Sequence, residues 1–462
     1  MADLRWIKVV SFISNQSVIR IDHRVRAVSS EKYLFHFGLK QTPCRVEWFE
    51  DPGYTDVNDA NHPLELFVST KMIQGLLIPE GTVFQLRFEK EEMYLGPTIG
   101  LLFGSNVENY TPEYMKEHYS DRMGTYSSFG GMVVAFSIVS VDWENSTVAG
   151  LIYHPGSGSW CEGVTAIPAV IYRRHIMQPS FKKFRTKLLE KNGLLINSDR
   201  LSKWRTYKVL LKNPIFHKYL PETHLLLTSC QLLKVLEEHN KIILKPKGSS
   251  QGKGIIIIKM ITAGENRNSY LVTGYQKTDE TPKQRLMNQQ EFHSFIRKFA
   301  EEYEKKYICQ KYISLAKVEG SPFDIRVIMQ KNPSYDWICN GIECRIAGKG
   351  KEITNFSAGG MVLSFEKTIQ RLNGQFDYET VKENVLRVCS EFCFWMEQQK
   401  QYHFVEFGID LALDQSGQIY FIEANYRPGY KGFKTIGFEQ YLRIGYEPLC
   451  YAASVQKFNI ST

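Results

Sequence analysis

The segment GIDLALDQSGQIYFIEANYRPG, residues 408–429, places acidic side chains inside two apolar runs that are separated by a turn. Asp410 lies in the first run, and Glu423 lies in the second run with Asn425 two residues further on. Because a half-buried carboxylate is costly without a partner, these acids need a ligand or a counter-charge. The segment therefore predicts a strand–turn–strand unit that carries oxygen ligands.

Side-chain alternation indicates which residues of this unit share a face. In IYFIEAN it favours one face for Ile419, Phe421, Glu423 and Asn425. An antiparallel partner strand, joined through the DQSGQ turn, brings Asp410 to that face. Hard oxygen donors on one face suit Mg²⁺, which also takes waters and substrate phosphates. The alternative is an edge hairpin with solvated acids, which the apolar character of both strands disfavours.

A second feature is the stretch IILKPKGSSQGKGIIII, residues 242–258, in which a glycine- and serine-rich loop joins two apolar strands. Lys245 supplies a positive charge for a phosphate, and Gly248, Gly252 and Gly254 let the backbone approach a ligand closely. Successive N–H groups in such a loop bind anions. The glycine spacing fits neither a Walker A loop nor a dinucleotide fingerprint, and a kinase-type flap is more similar. The alternative is a hairpin turn that uses glycine for geometry alone.

Arginines accompany both features. In GSPFDIRVIMQK, Asp324 and Arg326 share a strand face, where an aspartate can accept a hydrogen bond from a ribose and an arginine can hold a transferring phosphoryl group. Arg345 and Arg427 add two further guanidinium groups. Several arginines in one cleft would concentrate an anionic substrate. For each arginine alone, a structural ion pair is the alternative explanation.

The composition bounds the class of protein. With 462 residues, 43% hydrophobic and 23% charged, the chain is typical of a globular protein of two or three domains. The net charge of +8 fits either a solvated surface with a mildly basic cleft or a protein that binds anionic ligands. Without a basic helix or zinc-finger spacing, nucleic acid is not an expected partner. Nine cysteines without a CxxC pair indicate a reducing compartment. No signal peptide or membrane-spanning apolar run is recognisable, so we expect a cytoplasmic protein without a membrane partner.

The sequence patterns along the chain predict three domains. Residues 1–92 are β-rich, with a turn signal between apolar runs, and favour a small barrel. Residues 93–180 alternate strands and helices, as in an α/β domain built on a parallel sheet. Residues 181–462 combine longer strands with helices, including 286–306 and a final helix near 376–400, and predict an α+β arrangement.

Taken together, these stretches resemble the ATP-grasp superfamily. KPKGSSQGKGI, QKYISLAKVEGSPFDIRV and GIDLALDQSGQIYFIEANYRPG are most similar to its YheC/YheD-like branch, the endospore coat-associated proteins of spore-forming bacteria. The similarity covers roughly residues 96–450. It implies an ATP-grasp domain over 181–462, preceded by a pre-ATP-grasp α/β domain and a small β-rich domain, with spore association as an extension of the cytoplasmic location.

The resemblance implies a nucleotide site for ATP. Lys203 and Lys245 would contact the phosphates, and above them would lie a flap formed by Lys247, Gly248, Ser249, Ser250, Gly252 and Gly254. The hinge, whose backbone would contact the adenine edge, would consist of Gln310, Lys311, Tyr312 and Ile313. Asp324 would lie near the ribose, and Asn355 would contact the γ-phosphate.

The resemblance also implies the catalytic groups. Asp410, Glu423 and Asn425 would hold one or two Mg²⁺ ions. Arg326 and Arg345 would stabilise an acyl-phosphate intermediate. Arg427, in YRPG, departs from the smaller apolar residues often found after the asparagine, and is interpreted as a group that binds an anionic acceptor or a substrate carboxylate.

The function implied is an ATP-dependent carboxylate–amine ligase. A small-molecule or peptide carboxylate would be activated as an acyl phosphate and attacked by an amine, or by a thiol. No Ser-His-Asp or Cys-His arrangement is recognisable, in agreement with a mechanism that needs no covalent nucleophile. A kinase on the same scaffold and a non-catalytic coat or scaffold protein that binds nucleotide are the alternatives. A homo-oligomer is left open.

Overall fold

The computed structural model describes residues 4–25, 30–52, 54, 56–104, 110–174, 180–248, 254–262, 268–275, 282–354 and 360–460. The N-terminal part contains β1 (Leu4–Phe12), β2 (Val18–Asp22), β3 (Lys32–Phe37), β4 (Lys40–Phe49), β5 (Leu64–Ser69), α1 (Thr70–Leu76), β6 (Val83–Glu89) and β7 (Glu92–Gly96). These strands form a closed barrel in the order β1-β5-β2-β4-β3-β7-β6, because β6 pairs back with β1. The predicted barrel is therefore confirmed. The strand β7 continues past residue 92, so the expected domain boundary falls within the barrel.

A mixed sheet follows the barrel. Its strands are β8 (Thr98–Phe103), β9 (Met132–Ser137), β10 (Val141–Asp142), β11 (Thr147–His154), β12 (Ser159–Ala166), β13 (Val170–Arg173) and β14 (Leu194–Ile196), with helices α2 (Pro112–Tyr119) and α3 (Ser180–Glu190). The run β9-β8-β13-β14 is parallel, as predicted, but β10, β11 and β12 add antiparallel pairs. Since β14 lies beyond residue 180, this sheet takes in α3 and β14 from the region expected to begin the next domain.

A third, antiparallel sheet carries the predicted flap, and we call it the flap sheet. It contains β15 (Thr223–Leu225), β16 (Lys241–Pro246), β17 (Ile255–Thr262), β18 (Asn268–Tyr275), β19 (Lys283–Met287) and β20 (Tyr307–Lys311), with helices α4 (Lys203–Leu210), α5 (Ser229–His239) and α6 (Gln289–Tyr303) along the same part of the chain. The order is β15-β20-β16-β17-β18-β19. Helices α5 and α6 bury one face of this sheet in an apolar cluster, which leaves the other face open to a cleft.

The C-terminal sheet lies across that cleft. It contains β21 (Lys317–Val318), β22 (Ser321–Lys331), β23 (Trp337–Ile346), β24 (Met361–Ser364), β25 (Glu406–Leu413) and β26 (Ile419–Asn425), with α7 (Phe365–Gln370), α8 (Tyr378–Glu397), α9 (Lys431–Ile436) and α10 (Phe438–Ser454). The order is β24-β23-β22-β25-β26, with β21 paired to β22. Helix α8 covers the core face. The prediction that this was the final helix is wrong, because α9 and α10 follow it, and α10 packs on the mixed sheet.

Short 3₁₀ helices complete the described elements, at His23–Val25, Ser120–Met123, Tyr126–Ser128, Ile138–Ser140 and Pro214–Phe216. Within the described part of the chain, none of the helices combines the length and the apolar character that crossing a lipid bilayer requires.

Candidate functional site

The cleft between the flap sheet and the C-terminal sheet has a volume of about 1070 Å³. It is lined by strands from both sheets, by the start of α4, and by residues that follow β13 and β26. The predicted site residues that the structure describes are divided among these walls. The remaining ones, Ser249, Ser250, Gly252 and Asn355, lie outside the described residues.

A β-bulge sets the orientation of the acidic side chains on β25 and β26. Asp410 pairs with Glu423, but the next pair is Leu411 with Phe421, so that Ile422 is an extra residue on β26. A bulge of this kind interrupts the regular alternation of side chains along a strand. Phe421 therefore lies in the core against α8, while Glu423, two residues later, lines the cleft.

The bulge corrects one prediction. Strict alternation placed Ile419 and Phe421 on the same face as Glu423 and Asn425, and this is wrong, because Ile419 and Phe421 belong to the core cluster. The predicted meeting of Glu423 and Asn425 with Asp410 is confirmed. The Asn425 amide Nδ2 lies 3.3 Å from Asp410 Oδ2 and 3.4 Å from Glu423 Oε1.

Asp410 is surrounded by arginines. Arg326, its cross-strand neighbour on β22, donates from Nε to Oδ1 and from Nη2 to Oδ2 at 2.9 Å. Arg345 Nη2 lies 3.0 Å from Oδ2. Asp410 is only 3% exposed. Burial opposes its ionisation, but the guanidinium groups of Arg326 and Arg345 hold the pKa of Asp410 well below its usual range. The charged form of Asp410 is thus favoured, and its two oxygens orient both arginines.

Asp324 belongs to the same cluster. Its Oδ1 accepts a hydrogen bond from Arg345 Nε at 2.7 Å, and its Oδ2 accepts one from Arg345 Nη2 at 2.6 Å and one from the Thr354 hydroxyl. Burial raises the pKa of Asp324 in spite of these contacts. Both oxygens of Asp324 thus accept hydrogen bonds from Arg345 in this structure, and the contact of Asp324 with a ribose stays a prediction.

Glu343 is a site residue that sequence reasoning missed. It pairs across strands with Arg326, lines the cleft and is only 4% exposed. Its Oε2 has no hydrogen-bond partner among the described residues. Burial raises the pKa of Glu343 to about 7, against the opposing effect of Arg326 and Arg345. The available signal was its spacing of two from Arg345 in GIECRIA, which places both side chains on one strand face.

Lys245 projects from β16 on the opposite wall. It is 9% exposed, and its Nζ donates to Gln310 Oε1 at 2.7 Å. Gln310 Nε2 donates in turn to Thr223 Oγ1 at 2.7 Å. Burial lowers the pKa of Lys245 to about 8, although the carboxylate of Glu423 opposes this shift. Gln310, which was predicted to lie in the hinge, therefore positions the Lys245 ammonium with its side chain.

Lys203 links α4 to the acidic face. Ser202 caps α4 by accepting a hydrogen bond from the backbone N–H of Arg205. Lys203 follows at the first position of the helix, and its Nζ lies 2.5 Å from Glu423 Oε2. The structure thus brings the two predicted phosphate-binding lysines to the same cleft as the predicted metal-binding acids.

The predicted hinge lies along one wall of the cleft, where Gln310, Lys311, Tyr312 and Ile313 all line the cavity. Two of its backbone N–H groups are already used. Lys311 donates to the carbonyl of Glu222 at 2.9 Å, and Tyr312 donates to the carbonyl of Lys241 at 3.2 Å. Contacts to an adenine edge would therefore use other backbone groups of this segment.

The described ends of the flap flank the cleft. Lys247 lines the cavity, and its backbone N–H donates to the carbonyl of Lys306 at 2.8 Å. Gly248 follows it. Gly254 has a φ of 73°, a conformation that favours glycine, and its carbonyl accepts a hydrogen bond from the Tyr307 hydroxyl at 3.0 Å. The use of glycine at residue 254 is therefore geometric.

Arg427 is separated from the other predicted catalytic arginines. It follows β26, is exposed, and donates from Nη1 to the backbone carbonyl of Arg174 at 2.8 Å. Arg326 and Arg345 share one cluster around Asp410, whereas Arg427 lies at the end of the cleft beside the mixed sheet.

An antiparallel sheet whose strands flank the glycine-rich loop, opposite a second sheet that carries paired acids and arginines, defines a protein of the ATP-grasp fold. The family model described as "YheC/D like ATP-grasp" matches residues 192–455. The chain therefore belongs to the YheC/D-like ATP-grasp family.

Two curated relatives from Bacillus subtilis (strain 168) are similar over most of their length. The endospore coat-associated protein YheD is 23% identical over 85% of this chain and 84% of its own. The endospore coat-associated protein YheC is 24% identical over 68% of this chain and 85% of its own.

Solved structures show more distant similarity. D-alanyl-alanine synthetase A from Vibrio cholerae is 12% identical, with a TM-score of 0.43 over 76% of this chain and 97% of that one. The ATP-grasp ligase PsnB, in a complex with a precursor variant, Mg and ADP, is 13% identical, with a TM-score of 0.44 over 78% of this chain and 99% of that one.

Proposed function

We propose that this chain is a Mg²⁺- and ATP-dependent ligase that activates a carboxylate as an acyl phosphate and joins it to an amine. Its membership of an ATP-grasp family supports the use of ATP. The observation that carries the proposal is the cross-strand pair of Asp410 and Glu423, which lies beside Arg326 and faces the same cleft as Lys245.

The donor set fits a divalent ion. Asp410, Glu423 and Asn425 offer hard oxygen donors on one face, as Mg²⁺ prefers. Both oxygens of Asp410 already accept hydrogen bonds from arginines, so Glu423 and Asn425 are the more available ligands. When bound, the ion would neutralise phosphate charge and polarise the phosphoryl oxygens.

Lysine and arginine side chains would bind the phosphates and the transferring phosphoryl group. Lys203 and Lys245 would bind the phosphates of ATP, and the burial of Lys245 excludes water from its ammonium group. Arg326 and Arg345, fixed by Asp410, would hold the transferring phosphoryl group. These guanidinium groups are oriented before the substrate arrives, so that little reorganisation is needed during the reaction.

The proposed reaction has two steps. An oxygen of the substrate carboxylate forms a bond to the γ-phosphorus while the bond to the β–γ bridging oxygen breaks, and ADP leaves. The amine nitrogen then forms a bond to the acyl carbon, phosphate leaves, and the amine proton is released to water. A kinase would stop after transfer of the phosphoryl group to its acceptor.

The test is substrate-dependent ADP formation across a panel of amino acids and short peptides. Glu423→Gln should lower the rate at least 100-fold, whereas Glu439→Gln, at an exposed position on α10, should leave it unchanged. Free phosphate with an amide product supports the ligase, and a phosphorylated product supports the kinase. Full activity in Glu423→Gln contradicts the role of the acidic pair.

We further propose that the chain shares the location given in the names of its relatives, the endospore coat. The chain would act there, or on material delivered there, with its catalytic cleft intact. Detection of the protein in purified spore-coat extracts tests this location. Its absence from such extracts, with normal amounts in vegetative cells, contradicts it.

A further inference from the structure

Three arginines from separate parts of the chain converge at one end of the cleft, and we call them the basic rim. Arg174 directly follows β13, Arg200 lies between β14 and α4, and Arg427 follows β26. All of them line the same continuous cavity that contains Arg326 and Arg345. The topology therefore brings together guanidinium groups that lie far apart in the sequence.

The positive charge of the basic rim is largely uncompensated. Arg174 Nη1 lies 3.0 Å from Glu406 Oε1. Arg427 donates to a carbonyl oxygen, and neither Arg427 nor Arg200 forms an ion pair with a carboxylate of the described residues. Asp199, the acid next to Arg200, lies 3.7 Å from Arg185. Partial desolvation in the cleft and the neighbouring guanidinium of Arg174 lower the pKa of Arg427.

A buried network fixes Arg174 in place. Glu406 is fully buried and accepts hydrogen bonds from the hydroxyls of Tyr172 and Tyr430 and from the amide of Asn197, at 3.1 Å, as well as from Arg174. The Arg174 side chain is only 9% exposed, and its buried Nε has no hydrogen-bond partner among the described residues. A buried donor without a partner costs free energy, so Arg174 Nε is available to an acceptor oxygen of a ligand.

The neighbouring wall is aromatic and polar. Tyr114 and Tyr119 line the cavity beside the basic rim, and Arg122 stacks behind Tyr119 with its Cζ 4.9 Å from the ring centre. Lys431, which is exposed, lines the same region. Five acidic residues line the cavity within the described ranges, and none of them forms an ion pair with an arginine of the basic rim: Asp324, Glu343, Glu352, Asp410 and Glu423.

From these observations we infer that the basic rim binds a second anionic group of the substrate. The substrate then carries at least two negative groups: the carboxylate that would be phosphorylated beside Arg326 and Arg345, and a carboxylate or phosphate held by Arg174, Arg200 and Arg427. The identity of the first group depends on the proposed function. The second group is defined by the rim alone, because guanidinium groups bind both kinds of anion through paired N–H donors.

The test is calorimetric titration of the full-length protein with glutarate, phosphoglycolate and acetate. Glutarate or phosphoglycolate should bind at least tenfold more tightly than acetate, and whichever binds better identifies the second group as carboxylate or phosphate. Arg200→Ala and Arg427→Ala, at exposed positions, should each weaken the dianion at least tenfold. Arg387→Ala, on the surface of α8, is the matched control and should bind as the unmodified protein does.

Titration of the same variants with Mg·ADP separates this inference from the proposed function. Dianion binding that depends on Arg200 and Arg427 supports the basic rim whether or not Mg·ADP binds. Mg·ADP binding without any preference for dianions contradicts the proposed role of the basic rim but not the proposed nucleotide site. Dianion binding that is unchanged in both variants overturns the basic rim as well.

Discussion

Asp410 and Glu423 face each other across β25 and β26, yet their carboxylates have different partners. Asp410 is held by two arginines, whereas Glu423 lies 2.5 Å from the Lys203 ammonium and is 20% exposed. The Arg326 and Asp410 side chains are both buried, so Asp410 contributes mainly to the stability of the folded site. Glu423 is accessible to ligands, and its loss should affect the chemistry more than the fold.

Asp410→Asn should destabilise the protein by about 3 kcal/mol, because breaking a buried ion pair leaves the partner charge uncompensated. Glu423→Gln should cost less than about 1 kcal/mol, as for a partly exposed pair. Urea unfolding of both variants measures the difference. Equal free energies of unfolding in the two variants would contradict the division between a structural and a chemical acid.

Lys245 should make nucleotide binding depend on pH. Its pKa is lowered to about 8 by burial, and an anionic phosphate beside it would raise that pKa again. Above pH 8, binding then requires the uptake of a proton, so the affinity for Mg·ADP should fall by up to about tenfold per pH unit. Below pH 8, Lys245 adds no pH dependence.

The matched variant for this prediction is Lys245→Arg, which stays protonated throughout the range. Calorimetry in buffers of different ionisation enthalpy measures the proton uptake directly. Uptake near pH 9 should be present in the unmodified protein and absent in the variant. The same uptake in both proteins would assign it to another group.

Glu343 should make stability fall as pH rises. Its pKa is about 7 in the folded protein, against 4.5 for an ordinary glutamate. Between these values the folded state keeps a proton on Glu343 that the unfolded state has released. The contribution of Glu343 to the free energy of unfolding is therefore fully present below pH 4.5 and is lost by about pH 7. The loss amounts to about 3 kcal/mol at most.

Glu343→Gln removes this titration, so between pH 4.5 and 7 its free energy of unfolding should decline less than that of the unmodified protein. Chemical denaturation at both pH values gives the comparison, with Glu439→Gln as a control at an exposed site. A pH dependence that is identical in all three proteins would rule out Glu343 as its source.

Gly432 allows α9 to approach Glu343. A Cβ at this position would lie 2.1 Å from Glu343 Oε2, so Gly432→Ala should destabilise the protein by about 1–3 kcal/mol. Gly75→Ala, in α1 where no atom lies within 4 Å of the added Cβ, should stabilise by up to about 1 kcal/mol. Thermal unfolding compares them, and a neutral Gly432→Ala would show that the contact is loose.

The sequence contained enough information to predict which acidic residues meet in the cleft. An acid within each apolar strand predicted the pairing of Asp410 with Glu423, because turn-linked strands pair in a defined register. Strict alternation failed at Ile422, because a bulge depends on the backbone of both strands and has no clear sequence signal here. The roles proposed for the nucleotide-binding residues stay predictions.

The sequence alone could not predict which distant residues lie close together in the fold. Arg174 and Arg427 are brought together by the packing of the mixed sheet against the C-terminal sheet, which no local pattern encodes. Helix α10 was missed in part because Pro448 lies inside it, where a proline normally argues against a helix. Its packing against buried strands outweighs that local preference.

The most direct test of the acidic pair is the position of a divalent ion in a co-crystal with Mn·ADP, read from the anomalous scattering of manganese. We expect a peak about 2.1 Å from oxygen atoms of Glu423 and Asn425, next to Asp410 and the nucleotide phosphates. A bound nucleotide whose ion is held elsewhere, with Glu423 still paired to Lys203, would contradict it.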